Sequence, residues 1–324
     1  MTEHWMKDLR ERAPRVHCIT NYVTAGDVAN LVLAAGGSPI MAQGRREVED
    51  VTSICHSLVL NMGTLEKRTV NAMLLAGRRA KELGHPVILD PVGVTSSSYR
   101  RQSALGVLEG VKPDIIRGNE SEIRALEQAL RGLEPGNTAG VDASPAGGEA
   151  ERLGAVRALA ERTGAVVVMT GAADLIAGHT HIYRIENGSS MMGRITGGGC
   201  MLDGLLGAFC GSVFLEERES ARKAEAAERE SARKAETAGR ENAAQETEAG
   251  SDGASRKTAV RIPRERLEAA AAAAVSAHGI CGEIAEACVR RTGSGTGSFR
   301  MYFMDAMSLL DDEALERGKR IEIL

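Results

Sequence analysis

Short continuous apolar runs alternate along the chain with longer stretches whose apolar positions recur at helical spacing. Val16–Thr20, Ser38–Ala42, Ser57–Met62, Pro86–Asp90, Asp114–Arg117 and Ala165–Thr170 read as strands. Val23–Ala35, Arg46–Cys55, Leu65–Leu83, Ser98–Leu108, Glu120–Leu130 and Glu151–Thr163 read as helices between them. Asp174–Ile185 reads as a hairpin turning near Gly178–Thr180. Cys200–Phe214 and Leu267–Arg291 read as long, Ala/Gly-rich apolar helices. Strands that are apolar at every position must be buried on both faces. The pattern therefore predicts an α/β fold with a mostly parallel sheet and helices on both sides. Ligands of such sheets sit at the carboxyl ends of the strands.

Two stretches interrupt the alternation. Residues 132–149 are rich in Gly, contain two Pro, and read as a mobile loop. Residues 216–258 hold no Val, Ile, Leu, Met, Phe, Tyr, Trp or Cys. Within them Glu219–Arg229 (ESARKAEAAER) is nearly repeated by Glu230–Arg240 (ESARKAETAGR). An 11-residue period suits a helix, but alanine alone offers little area to bury. The expectation is one α/β domain, residues 1–324, carrying 216–258 as a solvated helical or disordered insertion.

Composition narrows the function. With 40 Lys+Arg against 44 Asp+Glu the formal charge is −4, which offers nucleic acid no general attraction. Aromatic residues make up 3%, too few for a base-stacking platform. No apolar run reaches the roughly 18–20 residues that span a bilayer, and the N-terminus lacks a signal-peptide core. A cytoplasmic protein is expected. The cysteines Cys18, Cys55, Cys200, Cys210, Cys281 and Cys288 form no CxxC and read as reduced thiols. The seven histidines do not cluster as metal ligands; His179 and His181 flank the hairpin and read as structural.

Candidate chemistry collects at strand ends and at one glycine turn. Gly193-Arg-Ile-Thr-Gly-Gly-Gly199-Cys200 feeds an apolar helix. Backbone N–H groups at such a helix start form an anion site, and Cys200 lies within reach of the helix dipole, which lowers a thiol pKa. No Lys follows the glycines, so this is not a Walker A loop. Asp90-Pro-Val-Gly93 closes a buried strand. Asn119-Glu-Ser-Glu122 follows another, and Asn119 and Glu122 share a helix face, as a capping box or as site residues. Two acidic strand ends with an anion-binding turn suggest Mg²⁺ and a nucleotide polyphosphate. Gly293–Ser298 reads as a second flexible loop that could cover a nucleotide.

Taken in order, the motifs resemble a known family. His17-Cys-Ile-Thr-Asn-Tyr-Val-Thr24, Ala35-Gly-Gly-Ser-Pro-Ile-Met-Ala42, Leu60-Asn-Met-Gly-Thr64, Asp90-Pro-Val-Gly93, Arg117-Gly-Asn-Glu-Ser-Glu122, Thr170-Gly171 and Gly197-Gly-Gly-Cys200 resemble hydroxyethylthiazole kinases. These are thiamine-salvage enzymes with a ribokinase-like fold. The resemblance covers about 14–215 and 260–310 and implies specific roles. Asn21 and Met41 would line the thiazole pocket, Met41 through packing and main-chain contact, with Gly197 beside the substrate. Arg117 and Thr170 would hold ATP phosphates. Gly198 and Gly199, with Gly197, would form the anion hole for the transferring phosphoryl group. Asp90 and Glu122 would organise Mg²⁺ through waters. Cys200 takes the position where most ribokinase-like enzymes carry an aspartate base. A homotrimer with sites at subunit interfaces is also implied.

Other readings stay open at this stage. One is a kinase for hydroxymethylpyrimidine or pyridoxal, although those usually carry Asp at the Cys200 position. Another is a hydrolase with Cys200 as nucleophile, for which His17 and His179 are the candidate bases. A third is a nucleotide-binding regulator that has lost catalysis.

Overall fold

The computed structural model describes residues 4–133, 148–242 and 260–324. In chain order these form α1 (Trp5–Arg12), β1 (Arg15–Ile19), α2 (Ala25–Ala35), β2 (Ser38–Ile40), α3 (Val48–Ile54), β3 (Ser57–Asn61) and α4 (Lys67–Leu83). Then come β4 (Val87–Asp90), α5 (Ser98–Val111), β5 (Ile115–Asn119), α6 (Glu120–Leu130), α7 (Glu149–Thr163), β6 (Val166–Thr170), β7 (Asp174–Ala177) and β8 (Ile182–Ile185). A 3₁₀ turn (Ser190–Arg194) precedes α8 (Gly198–Asn242), α9 (Arg264–Thr292), α10 (Thr296–Leu309), α11 (Asp312–Gly318) and β9 (Ile321–Ile323).

The strands form one sheet in the order β2-β1-β3-β4-β5-β6-β7-β8-β9. The pairs from β2 to β6 are parallel, and β6 through β9 pair antiparallel. The mostly parallel α/β arrangement is the one the run pattern predicts. Its cause is visible residue by residue. Val16, Cys18, Val59, Ile88, Ile115, Val166 and Val168 face one core with α1, α2, α8, α9 and α10. Their neighbours Ile19, Leu58, Leu60, Val87, Leu89, Ile116, Val167 and Met169 face a second core with α4, α5, α6 and α7. Successive strand residues point to opposite faces, so two cores require unbroken apolar strands.

The chain runs from β1 outward to β2 and then returns to place β3 on the other side of β1. The order reverses between β1 and β3, where ligands of parallel sheets collect. α8 packs across β1, β3 and β4 and against α2 and α9. Its first turn therefore sits over that reversal.

Several elements differ from the sequence reading. Gly293–Ser298 is not an extended loop: α10 starts at Thr296 with Gly295 as its N-cap. Phe299 and Phe303, one turn apart, are buried against the core and hold the helix there. The Cys200 helix does not stop at Phe214 but continues to Asn242, through more than half of the charged segment. Glu216 still belongs to the body, pairing with Arg266 at 2.8 Å. From Glu219 to Arg233 the residues are exposed apart from half-buried Ala221. Most of 132–149 and the end of 216–258 lie outside the described residues. By length and composition Gly198–Arg233 could cross a membrane, contrary to the reading from apolar runs, yet 78% of its most apolar window is buried inside the fold.

The Glu216–Arg266 pair shows that α8 and the start of α9 lie side by side where the charged segment leaves and rejoins the body. Replacing 220–258 by a short Gly/Ser linker is expected to move the melting temperature by less than about 2 °C, because no large apolar side chain is removed. Differential scanning calorimetry of the two proteins checks this; a fall of roughly 10 °C would mean that the segment packs.

Candidate active site

The site lies at the carboxyl edge of the parallel strands. Asn21 follows β1, Met41 follows β2, Asn61 ends β3, Asp90 ends β4, Arg117 and Asn119 come from β5, and Thr170 ends β6. Cα register places Asn61 beside Asp90 and Asn119 beside Thr170. The first turn of α8 closes this row from one face.

Arg117 is the hub. Its guanidinium donates to Asp90 Oδ2 at 3.0 Å and to Thr170 Oγ1 at 2.9 Å. Burial works against its charge, but Asp90, Asp203 and Glu122 more than offset that and hold it protonated. Gly199 gives the guanidinium room, since a Cβ there would collide with its nitrogens and Cζ. Gly197 adopts φ +83°, a left-handed conformation that turns the chain into α8, and a Cβ would strike Thr24. The N–H groups of Gly198, Gly199 and Cys200 open the helix and have no intrahelical acceptors. They form the anion-binding geometry expected of the glycine turn.

Cys200 is half-buried. Its Sγ receives N–H groups from Asn21 Nδ2 at 3.2 Å and Asn61 Nδ2 at 3.4 Å, and it also bonds the Thr24 hydroxyl. Helix position alone suggests a depressed thiol pKa, but the structure gives the opposite direction. Burial pushes the thiol up, and the nearby Asp203 and Asp90 carboxylates add to it. Thr24 and Arg117 oppose that push only in part.

Sequence reading gave no role to two polar groups beneath the sulfur, Asp203, which it passed over, and Asn61, which lay within a quoted motif. Asp203, one helical turn after Cys200, is 1% exposed. Its Oδ2 accepts Asn61 Nδ2 at 2.8 Å, and its carboxyl bonds that of Asp90. The signal was an acid in an otherwise apolar helix run, three residues beyond the cysteine, where a side chain shares the cysteine's helix face. Asn61 is the other, a polar residue closing an apolar strand. Asp90 and Asp203 are both raised above the ordinary carboxylate range, by burial first; Asp203's charge pushes Asp90 further while Arg117 opposes.

Glu122 is placed differently from the other candidates. It is the third helical residue in a full capping box with Asn119, and its two oxygens accept the N–H groups of Gly93 at 2.8 Å and Asn119 at 2.9 Å. It thereby ties the turn after Asp90 to the start of α6. Burial, then the Asp90 charge, pushes its carboxyl up to about 7. Met41 joins none of these hydrogen bonds. It packs, half-buried, against the α2/α8 core beside the row.

The donor chemistry suits a hard cation. Asp90 Oδ1 and Asp203 Oδ1 are buried without a hydrogen-bond partner. Among the described residues no three His, Cys, Asp or Glu side chains converge into a closed metal cage. Carboxylate oxygens without a cage fit Mg²⁺, which keeps several waters and takes substrate phosphates as ligands. A cysteine-hydrolase arrangement is not assembled. Both ring nitrogens of buried His17 are engaged, by Thr52 Oγ1 and the Ala42 carbonyl, each at 2.9 Å. His179 sits in the β7–β8 turn, with its backbone bound to Glu268.

Comparison with known proteins decides the family. The family model for hydroxyethylthiazole kinases matches residues 6–253. The chain belongs to the hydroxyethylthiazole kinase family. The hydroxyethylthiazole kinase of Clostridium acetobutylicum is 37% identical across 99% of this chain and 99% of its own. That of Clostridium tetani is 47% identical over 207 residues, 63% of this chain and 74% of the relative. Among solved structures, hydroxyethylthiazole kinase from Pyrococcus horikoshii OT3 superposes with a TM-score of 0.72 at 25% identity, covering 98% of this chain and 97% of that one. The family's fold thus extends through α9, α10 and β9.

Asp90 is fully buried and the Arg117 side chain is only 11% exposed, so breaking the pair leaves a carboxylate stranded. Arg117→Met is expected to cost about 3 kcal/mol at pH 8. The loss should shrink at pH 5, because the abandoned Asp90 escapes by taking a proton. Urea unfolding at both pH values measures it; equal losses would show that Asp90 does not depend on Arg117.

Proposed function

We propose that this protein transfers the γ-phosphoryl group of ATP to the hydroxyl of 4-methyl-5-(2-hydroxyethyl)thiazole, a step of thiamine biosynthesis and salvage. The observation that carries the reading is Cys200 at the mouth of an anion-binding helix start, beside Arg117 and Asp90, in a chain of this family. Kinases for hydroxymethylpyrimidine or pyridoxal are the alternative. The cysteine at position 200 speaks against them, since those enzymes usually carry aspartate there.

In this reading Asn21 and Met41 border the thiazole, one by its amide and one by apolar packing, with Gly197 at the substrate's edge. Arg117 and Thr170 bind ATP phosphates. The N–H groups of Gly198 and Gly199 receive the charge that builds on the transferring phosphoryl oxygens. Cys200 Sγ faces the substrate hydroxyl; in its thiolate form, its own proton first given up to solvent, it accepts the hydroxyl proton as the oxygen attacks in line. Asp90 and Glu122 would hold Mg²⁺ through waters, with Asp90 Oδ1 the free donor. The bound ion would neutralise charge on the ATP phosphates. Carboxyl and thiol groups pushed up by burial and by one another support a site that receives positive charge.

The same reading extends to assembly and location. Tyr22 and Val23, directly after Asn21, are 79% and 58% exposed. Large apolar side chains in water beside a site support a neighbouring copy completing it, and a homotrimer in the cytoplasm is proposed.

Purified protein with ATP and Mg²⁺ is expected to phosphorylate the thiazole alcohol much faster than pyridoxal or hydroxymethylpyrimidine; the reverse order in a coupled ADP assay overturns the substrate. Cys200→Ala should lower kcat about 10-fold without abolishing it, since positioning and charge stabilisation remain. An unchanged kcat in that variant removes the thiol from the mechanism. Multi-angle light scattering at micromolar protein should give three times the 34.3 kDa chain mass, and a monomer mass rejects the shared site.

A further inference from the structure

The two amides that touch Cys200 have only one consistent orientation. Gly63 N–H donates to Asn61 Oδ1 at 3.0 Å, so the other end of that amide is its NH₂. Thr24 N–H donates to Asn21 Oδ1 at 3.1 Å, which fixes the second amide in the same way. Asn21 Nδ2 then donates to Asn61 Oδ1 at 3.1 Å and to Cys200 Sγ. Asn61 Nδ2 is left facing Asp203 Oδ2 at 2.8 Å, Asp90 Oδ2 at 3.1 Å and Sγ at 3.4 Å.

Asp203 is the shortest of these contacts and the one that makes the arrangement firm. Asp90 Oδ2 is shared with Arg117, whereas among the described residues Asp203 Oδ2 receives its one side-chain N–H from Asn61. Asp203 and Cys200 sit one turn apart on α8, so the helix fixes the spacing between the anchor and the sulfur. Asn61 is clamped from both ends, by Gly63 on its oxygen and by Asp203 on its nitrogen. Without the acceptor at 203 the amide could swing toward Asp90 and away from the sulfur.

We propose that Asp203, acting through Asn61, is a positioning residue that holds two amide N–H groups on the Cys200 sulfur and so aims that sulfur at the substrate hydroxyl. The inference rests on the reading that Cys200 meets that hydroxyl. It makes the acceptor oxygen at 203, and not its charge, the property that matters.

The test is a double-mutant cycle on the full chain with ATP, Mg²⁺ and the thiazole alcohol. Asp203→Ala should lower kcat about eightfold, no more than the loss of the thiol itself, with KM for the alcohol changed less than about threefold. Asp203→Asn keeps an acceptor and should lose only about threefold. In a Cys200→Ala background, Asp203→Ala should cost less than about threefold further, because the residue it serves is gone. Thermal melts confirm folding, and Asp203→Ser stands in if Asp203→Ala does not accumulate. Equal loss from Asp203→Ala in both backgrounds overturns the proposal and assigns Asp203 to Asp90 or to the fold. So does an Asp203→Asn variant as impaired as Asp203→Ala. A Cys200→Ala protein with unchanged kcat fails at the earlier step, the role of the thiol itself, and this inference falls with it.

Discussion

A carboxylate sealed from water has to find a partner, and Asp90 is sealed completely. It ends the interior strand β4, flanked by β3 and β5, where the sheet gives it no escape. Arg117 reaches it from the neighbouring strand β5, and Asn61 from β3 on the other side. Those two partners in turn need their own: Thr170 from β6 for the guanidinium, Asn21 from β1 and Asp203 from α8 for the amide. One buried charge thus recruits a polar group from almost every parallel strand. The row at the carboxyl edge is a connected network, and such networks hold shape only when nearly every member is satisfied. The exceptions are Oδ1 of Asp90, Oδ1 of Asp203 and Nε of Arg117, and the two buried carboxylate oxygens mark where an outside ligand belongs.

The apolar structure makes that network possible. Strand residues alternate between two cores, so neither face of the sheet is free to move against its helices. α8 lies across the strands on one face, with Phe209, Leu205 and Leu206 fully buried under it. That packing sets the height of its first turn above the strand ends. The glycines at 197 and 199 complete the fit by letting Thr24 and Arg117 approach the backbone.

The parallel strands and their helices were legible because unbroken apolar runs have few other uses. α1, α10, α11 and β9 were not. α1 buries only Met6 and Leu9 among charged residues, and β9 is three residues of antiparallel edge. α10 hides behind Thr-Gly-Ser, which reads as loop until Phe299 and Phe303 find the core. Within the site, strand-end residues such as Asp90 announce themselves because a polar residue after an apolar run has no packing role. Asp203 does not, because in sequence it is one acid within an apolar helix, and only the arrival of Asn61 from a distant strand explains its burial. Glu122 shows the converse. Its capping-box pattern was plain, yet the pattern could not say that the same carboxylate would also brace Gly93.

The continuation of α8 past the body has a hydrodynamic consequence. A helix rises about 1.5 Å per residue, so the exposed stretch from Glu219 to Arg233 alone adds a rod roughly 20 Å long to the particle. Frictional drag responds to such a projection far more than mass does. The protein should therefore sediment more slowly, and leave a sizing column earlier, than a sphere of equal weight, and each further copy in an assembly would carry its own rod.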